Sequence, residues 1–287
     1  MTETSLPALD PLLYRPAILR ALEEDLGLAG DITTNSVVEP GARLEARLSS
    51  RQTGRIAGLA VALDVFRELE PGIETQVHCD DGSDVEPGAT LAVLHGPARP
   101  ILTGERTALN ILARLSGIAT ATRRAVAAVG AYPTRVTCTR KTTPGLRSLE
   151  KYAVRVGGGL NHRFGLHDAV LIKDNHIAAA GGLRPTVARA RGALGPMVRI
   201  EVEVDTLEQL REALEAGVEA VLLDNMTPDL LREAVSLVDG RAVTEASGGI
   251  RPDTIRDFAA TGVDIVSLGW LTHSAASLDL GLDAEPL

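Results

Sequence analysis

Beyond residue 133 the chain repeats one pattern six times: a short aliphatic run, a polar turn, then a stretch with helical spacing. The strand candidates are 134–139, 169–173, 198–204, 219–224, 241–246 and 264–268, with helices expected at 146–156, 183–193, 206–216, 227–238 and 252–261. Strands that alternate with helices require crossover connections, which are right-handed and build a parallel sheet. A complete eightfold barrel takes about 250 residues and eight such units. Six units in roughly half that length predict an incomplete, six-stranded α/β barrel.

The N-terminal part reads differently. Residues 15–26 have Ile18, Leu19, Leu22 and Leu26 on one helical face, ended by Gly27, and the following polar EDLGLAGDITTNS reads as a loop. Leu44, Ala46 and Leu48 alternate with polar residues as in a half-buried strand, Ala60–Leu69 returns to helical spacing, and Ile73–Cys79 alternates again. DDGSDVEPGATLAVLHG reads as a hairpin or a pair of short strands. This order predicts a small α+β open-sandwich domain. A helical stretch from Pro97 to Ala131, with a break expected at Ser116-Gly117, leads into the barrel. The expected division is 1–113 for the sandwich and 114–273 for the barrel, with the tail 274–287 packing back onto the sandwich.

The chain has a net charge of −9, yet Thr137–His176 carries seven Arg or Lys against three acids and contains every lysine present: Lys141, Lys151 and Lys173. A cationic pocket in an acidic protein points to an anionic small ligand, and an aromatic content of 2% leaves little for stacking nucleic-acid bases. Arg147, Lys151 and Arg155 recur every four residues, as on the solvated face of a helix. Arg140, Lys141 and Lys173 instead follow strand candidates, where chemistry sits in α/β folds. No apolar run approaches the roughly 20 residues a membrane helix needs, and the N-terminus lacks a basic region followed by a hydrophobic one, so a cytoplasmic location is expected. Cys79 and Cys138 lack metal-ligand spacing and read as buried thiols.

The C-terminal ends of the strand candidates bring together Arg140, Lys141, Lys173, Glu203, Asp224, Glu245 with Ser247, and Gly269. Glu203 and Asp224 end nearly continuous apolar runs, where a charge without a partner is costly; Asp205, just ahead of a helix, reads as its cap. Carboxylates there suit sugar hydroxyls or a magnesium ion. ASGGI (246–250) and SLGW (267–270) place small residues where backbone N–H groups can approach a phosphate, at the last two βα loops of a barrel-like array. GGGLNHRFGLHD (157–168) is glycine-rich but matches neither a Walker A loop nor a dinucleotide fingerprint. It carries His162 and Arg163 beside the basic rim. Glu105, Arg106 and Asn110 share a helix, and their spacing alone reads as a surface ion pair.

Taken in order, EDLGLAGDITT, ERTALNILARLSGIAT, TRKTTPGLR, GGGLNHRFGLHD, IKDNH, EVEVD, LLDN and EASGGI resemble the quinolinate phosphoribosyltransferase family, nearly end to end. The resemblance implies condensation of quinolinate with phosphoribosyl pyrophosphate, with release of pyrophosphate and carbon dioxide, to give nicotinate mononucleotide for NAD synthesis. It implies that Arg140, His162 and Arg163 face quinolinate, with Lys141 and Lys173 at its carboxylates or the phosphates. It also implies that Glu203 and Asp224 serve the ribose hydroxyls and Mg2+, and that Ser247, Gly248, Gly249 and Gly269 cradle the 5′-phosphate. Lys141, Glu203, Asp224 and Lys173 are the implied catalytic residues. Arg106 would enter the neighbouring subunit's site, which makes a homodimer the minimal unit; neither nucleic acid nor membrane is an expected partner. Two other readings are a related pyrophosphorylase, of the molybdate-transport-associated type, with a different acceptor, and a barrel aldolase using Lys173 as a Schiff-base lysine.

Overall fold

Alternation of buried and exposed residues along Arg43–Ser50 explains the first sheet, because Leu44, Ala46 and Leu48 all turn inward. In the computed structural model, which describes residues 7–287, the chain divides into two compact units that interleave in sequence. One takes in residues up to Arg123, Thr142–Gly158 and Leu271–Leu287; the other comprises Arg124–Lys141 and Gly159–Trp270.

The first unit contains α1 (Arg15–Leu26), α2 (Ile32–Val37), β1 (Arg43–Ser50), β2 (Gly54–Arg55), α3 (Leu59–Leu69), β3 (Glu74–Val77), β4 (Asp84–Val85) and β5 (Thr90–Pro97). Its main sheet runs in the order C-terminal strand Leu280–Pro286, β1, β5, β3, with every neighbouring pair antiparallel. β4 pairs with β2, and β5 with β1 and β3, so the two short runs after Cys79 do not form a hairpin with each other. The polar segment expected as a loop contains α2: the Asp31 carboxylate accepts the N–H of Thr34 at 2.9 Å and caps a helix that its β-branched residues alone would hardly start. Cys79 lies just past β3, the edge strand, and is half-buried rather than buried.

α4 (Ala98–Val129) is one unbroken helix of 32 residues, so the break expected at Ser116-Gly117 is absent. Gly117 is there for another reason: a Cβ on it would stand 2.0 Å from the backbone oxygen of Ala276. The glycine lets the C-terminal segment cross the helix closely, and its cost of roughly 1 kcal/mol in helix propensity is offset by that packing. At Gly104 the same helix meets Phe66 of α3, which is fully buried; a Cβ there would lie 2.9 Å from the Phe66 ring.

α5 (Arg147–Val156) also belongs to this unit and corrects the reading of its basic stripe. Arg155 is exposed, but Lys151 is 2% exposed and Glu150 0%. Arg114 of α4 draws Glu150 inward, donating to Oε1 from Nε at 3.2 Å and Nη2 at 2.9 Å, while Thr143 donates from its N–H and its hydroxyl. Spacing along one helix cannot reveal a partner carried by another.

The second unit contains β6 (Arg135–Thr137), β7 (Val170–Ile172), α6 (Asp174–Ala180), α7 (Leu183–Ala193), β8 (Ile200–Val204), α8 (Leu207–Glu215), β9 (Ala220–Asp224), α9 (Pro228–Val238), β10 (Val243–Ser247), α10 (Ile255–Ala259) and β11 (Ile265–Ser267). All six strands pair in parallel in the order β6-β11-β10-β9-β8-β7. β6 and β7 stand at the two edges, which is the open side of the incomplete α/β barrel. Leu160 lies along β6 in a parallel bridge with Thr137, so the connection 159–169 lines that open edge. The short helix α6, directly after Lys173, lay outside the sequence reading because seven residues give almost no periodicity.

Candidate active site

Five of the six parallel strands deliver polar residues at their C-terminal ends, and the second unit gathers them into two neighbouring groups. β7 ends at Ile172 and hands Lys173 to the rim, where its ammonium pairs with the Glu203 carboxylate of the adjacent β8. Asp224, the last residue of β9, is half-buried and its carboxyl is raised. Burial is the largest cause, followed by repulsion from Glu203 and Asp205, while Lys173 and Lys141 pull the other way. These five groups therefore share one electrostatic neighbourhood. Asp205 is not the helix cap it resembles: Thr206 caps α8 through a reciprocal pair with Gln209, which leaves Asp205 facing Asp224.

The second group is cationic. Arg140 follows β6, and Arg163 sits in the connection along the open edge. Arg163 has its guanidinium lowered by burial first and by repulsion from Arg140 second, so the two positive charges act on one another. Two such guanidiniums could receive a dianion, since each can grip a carboxylate with two parallel N–H bonds.

The connection that carries Arg163 is tied at several points. Arg163 Nη1 donates to the Ala169 oxygen at 3.1 Å, and Asp168 accepts the N–H groups of Phe164 and Gly165 at 2.6 and 2.8 Å. His162 points inward: its Nε2 lies 3.1 Å from Glu201 Oε2 and 3.4 Å from Glu245 Oε2. Burial would lower the imidazole, but hydrogen bonds and charge from both glutamates outweigh it and raise the ring to about 10. Nδ1, however, accepts the Arg163 N–H at 2.8 Å, which opposes a proton on that nitrogen. Glu201 is also raised, by burial first. Glu201 was not among the sequence candidates; its place in EVEVD, two residues before Glu203 and on the same strand face, was the only signal.

Ser247 ends β10 and the loop after it opens with Gly248 and Gly249, with φ of +92° and +62° at the two glycines. Nothing lies within 4 Å of where a Gly249 Cβ would stand, so this turn faces open space. Trp270 Nε1 donates to the Ile250 oxygen at 3.0 Å and ties the loop to the segment after β11, where Gly269 lies. Consecutive glycine N–H groups beside an open space can cradle a phosphate. Arg106 lies in the other unit, on α4, where it is exposed and 3.9 Å from Glu105.

Comparison with known proteins agrees along most of the chain. The family model described as quinolinate phosphoribosyl transferase, N-terminal domain, matches residues 31–116, and its C-terminal counterpart matches 118–283. A probable carboxylating nicotinate-nucleotide pyrophosphorylase of Bacillus subtilis is 48% identical over 260 residues, covering 91% of this chain and 89% of that protein. The carboxylating nicotinate-nucleotide pyrophosphorylase of Mycobacterium leprae is 45% identical over 274 residues, covering 94% and 96%. The crystal structure of NadC from Streptococcus pyogenes superposes with a TM-score of 0.95 at 40% identity, over 98% of this chain and 100% of that one.

Proposed function

The chain belongs to the quinolinate phosphoribosyltransferase family, and from that premise we propose how its own residues carry out the transfer. The reaction joins quinolinate to the phosphoribosyl group of phosphoribosyl pyrophosphate and releases pyrophosphate and carbon dioxide, giving nicotinate mononucleotide for NAD biosynthesis. The observation that carries the assignment of roles is the arrangement at the strand ends, where paired guanidiniums stand beside an acidic rim and a glycine turn.

Arg140 and Arg163 receive the two carboxylates of quinolinate and orient the ring nitrogen toward the sugar. Lys141 and Lys173 extend that positive field toward the substrate phosphates and hold the charge balance of the rim. Glu203 and Asp224 accept the ribose hydroxyls and stabilise the positive charge that grows at the anomeric carbon as its bond to pyrophosphate lengthens. Ser247, Gly248, Gly249 and Gly269 hold the 5′-phosphate through short side chains and backbone N–H groups. With both reactants fixed, the ring nitrogen displaces pyrophosphate, and positioning supplies much of the rate. The positive charge on the quaternised nitrogen then stabilises the electron pair that stays on the adjacent ring carbon as its carboxylate departs as carbon dioxide, and that pair takes up a proton.

Glu203 and Asp224 also fit Mg2+: two carboxylates that repel one another form an oxygen donor set for a hard cation. When bound with phosphoribosyl pyrophosphate, the ion supplies neutralisation of the pyrophosphate charge. Arg106, exposed on α4, completes the site of a second subunit in a homodimer. The aldolase reading of Lys173 lacks support, because the residue is exposed and ion-paired rather than enclosed in apolar surroundings.

The deciding assay follows nicotinate mononucleotide and carbon dioxide from phosphoribosyl pyrophosphate and Mg2+, with quinolinate and nicotinate offered separately. Product and gas from quinolinate alone support the reading; product from nicotinate alone, or from neither, rejects it.

A further inference from the structure

The glycine-rich motif that carries Arg163 ends at Asp168, a residue with no part in the transfer described above. Its carboxylate accepts two successive N–H groups on separate oxygens, Phe164 on Oδ2 at 2.6 Å and Gly165 on Oδ1 at 2.8 Å. Packing does little for the turn it closes, because Phe164 is 42% and Leu166 74% exposed. The turn is also tight: Gly165 is buried, and a Cβ on it would stand 2.6 Å from Nδ1 of His167. Burial works against the Asp168 charge, yet the N–H groups of Gly165 and Phe164 keep the carboxyl below its usual range, as charge-assisted bonds do.

Both ends of Arg163 depend on this arrangement. Its backbone leads straight into the two bonded N–H groups, and its guanidinium donates from Nη1 to the oxygen of Ala169, the residue after Asp168, at 3.1 Å. Asp168 and Ala169 in turn lead directly into β7, where Val170 donates to the Arg199 oxygen at 3.1 Å and stands in register with Ile200 of β8. Against burial and repulsion from Arg140, the charges of Glu201 and Asp168 favour the Arg163 cation. An arginine side chain is long and mobile, and a bidentate grip on a carboxylate needs its planar fork held in one orientation. We infer that Asp168 is a positioning residue for acceptor recognition: it folds the 164–168 turn back onto the start of β7 and so fixes the Arg163 guanidinium that receives the dicarboxylate. The inference rests on the phosphoribosyl-transfer reading, in which Asp168 acts through Arg163.

The test compares the wild type with Asp168→Ala and Asp168→Asn, each checked by its thermal transition. Asp168→Ala is expected to raise KM for quinolinate at least about tenfold while KM for phosphoribosyl pyrophosphate holds, and to speed amide hydrogen exchange at Phe164 and Gly165. Asp168→Asn keeps one acceptor oxygen and should fall between wild type and alanine in both readouts. Benzene-1,2-dicarboxylate, with two adjacent carboxylates and no ring nitrogen, probes recognition without turnover, and titration calorimetry should show its affinity falling as KM for quinolinate rises. Faster exchange with unchanged KM for quinolinate overturns the inference, because the turn is then structural only. So does an equal rise in both KM values, which marks a general disturbance of the site. A loss of quinolinate affinity with exchange unaltered also overturns it, because the Asp168 charge and not the turn would then be responsible. A wild type that binds the dicarboxylate without ever forming mononucleotide counts against the transfer reading alone, and the variants' affinities then decide the inference; a wild type that does not bind it overturns both.

Discussion

A Cβ on Gly248 would stand 2.1 Å from Oδ1 of Asn225. Asn225 itself occupies the left-handed region, at φ +53°, its N–H donates to the Ser247 oxygen at 2.9 Å, and its Nδ2 donates to Asp224 Oδ2 at 2.6 Å. The glycine turn and the acidic rim are thus one interlocked piece, and Asn225 takes the positive φ because its short polar side chain tolerates the left-handed region.

Gly248→Ala should therefore act on the donor substrate. The methyl collides with Asn225 and φ resists any side chain, so KM for phosphoribosyl pyrophosphate should rise by about tenfold or more, equivalent to about 1.4 kcal/mol. KM for quinolinate should move much less. Steady-state kinetics with each substrate varied in turn will show the split, and equal loss for both would contradict it.

At the cationic pair, Arg140→Lys and Arg163→Lys keep the charge and lose the planar fork. Each should weaken quinolinate by about 1.5–3 kcal/mol, the range for a hydrogen bond to a charged group. Isothermal titration with quinolinate measures this directly, and full affinity in either lysine variant would mean that charge alone is read.

Arg114→Ala should be among the most destabilising substitutions in the first unit. It removes the guanidinium from Glu150, which is 0% exposed, and also frees the carbonyls of Ala275 and Thr272 that the same side chain holds. Breaking a buried pair on one side costs about 3–5 kcal/mol. Urea unfolding at constant m-value is the measurement; a loss below about 1 kcal/mol would place the pair with ordinary surface bridges.

If Arg106 completes a second subunit's site, Arg106→Ala and Lys141→Ala proteins should each be inactive alone and regain partial activity when mixed and allowed to exchange subunits. Mass spectrometry of the mixture establishes exchange independently. No recovery after demonstrated exchange would count against a shared site.

Cys79 should resist alkylation in the native protein. Burial, with Asp81 and Asp80 adding repulsion, pushes its thiol up to about 11, so the reactive thiolate is scarce at pH 8 and grows as pH rises through that value. Iodoacetamide labelling followed from pH 7 to pH 11, read by peptide mass, should show Cys79 reacting only toward the alkaline end.

What the sequence determined by itself is what repeats locally or ends a repeat. Six aliphatic runs alternating with helical spacing specify β6 to β11 and their parallel order of construction, because side-chain period and turn chemistry act over a few residues. The same logic marks Lys173, Glu203, Asp224 and Ser247, since a polar residue closing an apolar run in such a sheet must lie at one rim. Tertiary structure alone decided what depends on distant partners. Lys151 is buried, against its helical spacing, on a helix whose Glu150 is drawn in by Arg114 from 36 residues away. Gly117 does not break α4, because the backbone of Ala276 needs the room. Glu201, His162 and Glu245 form one cluster only because sheet order brings β8, β10 and the open-edge connection onto a common interior. Local periodicity determines which face a residue takes, but the neighbour waiting on that face is set by closure of the chain over long separations, and no local pattern encodes it.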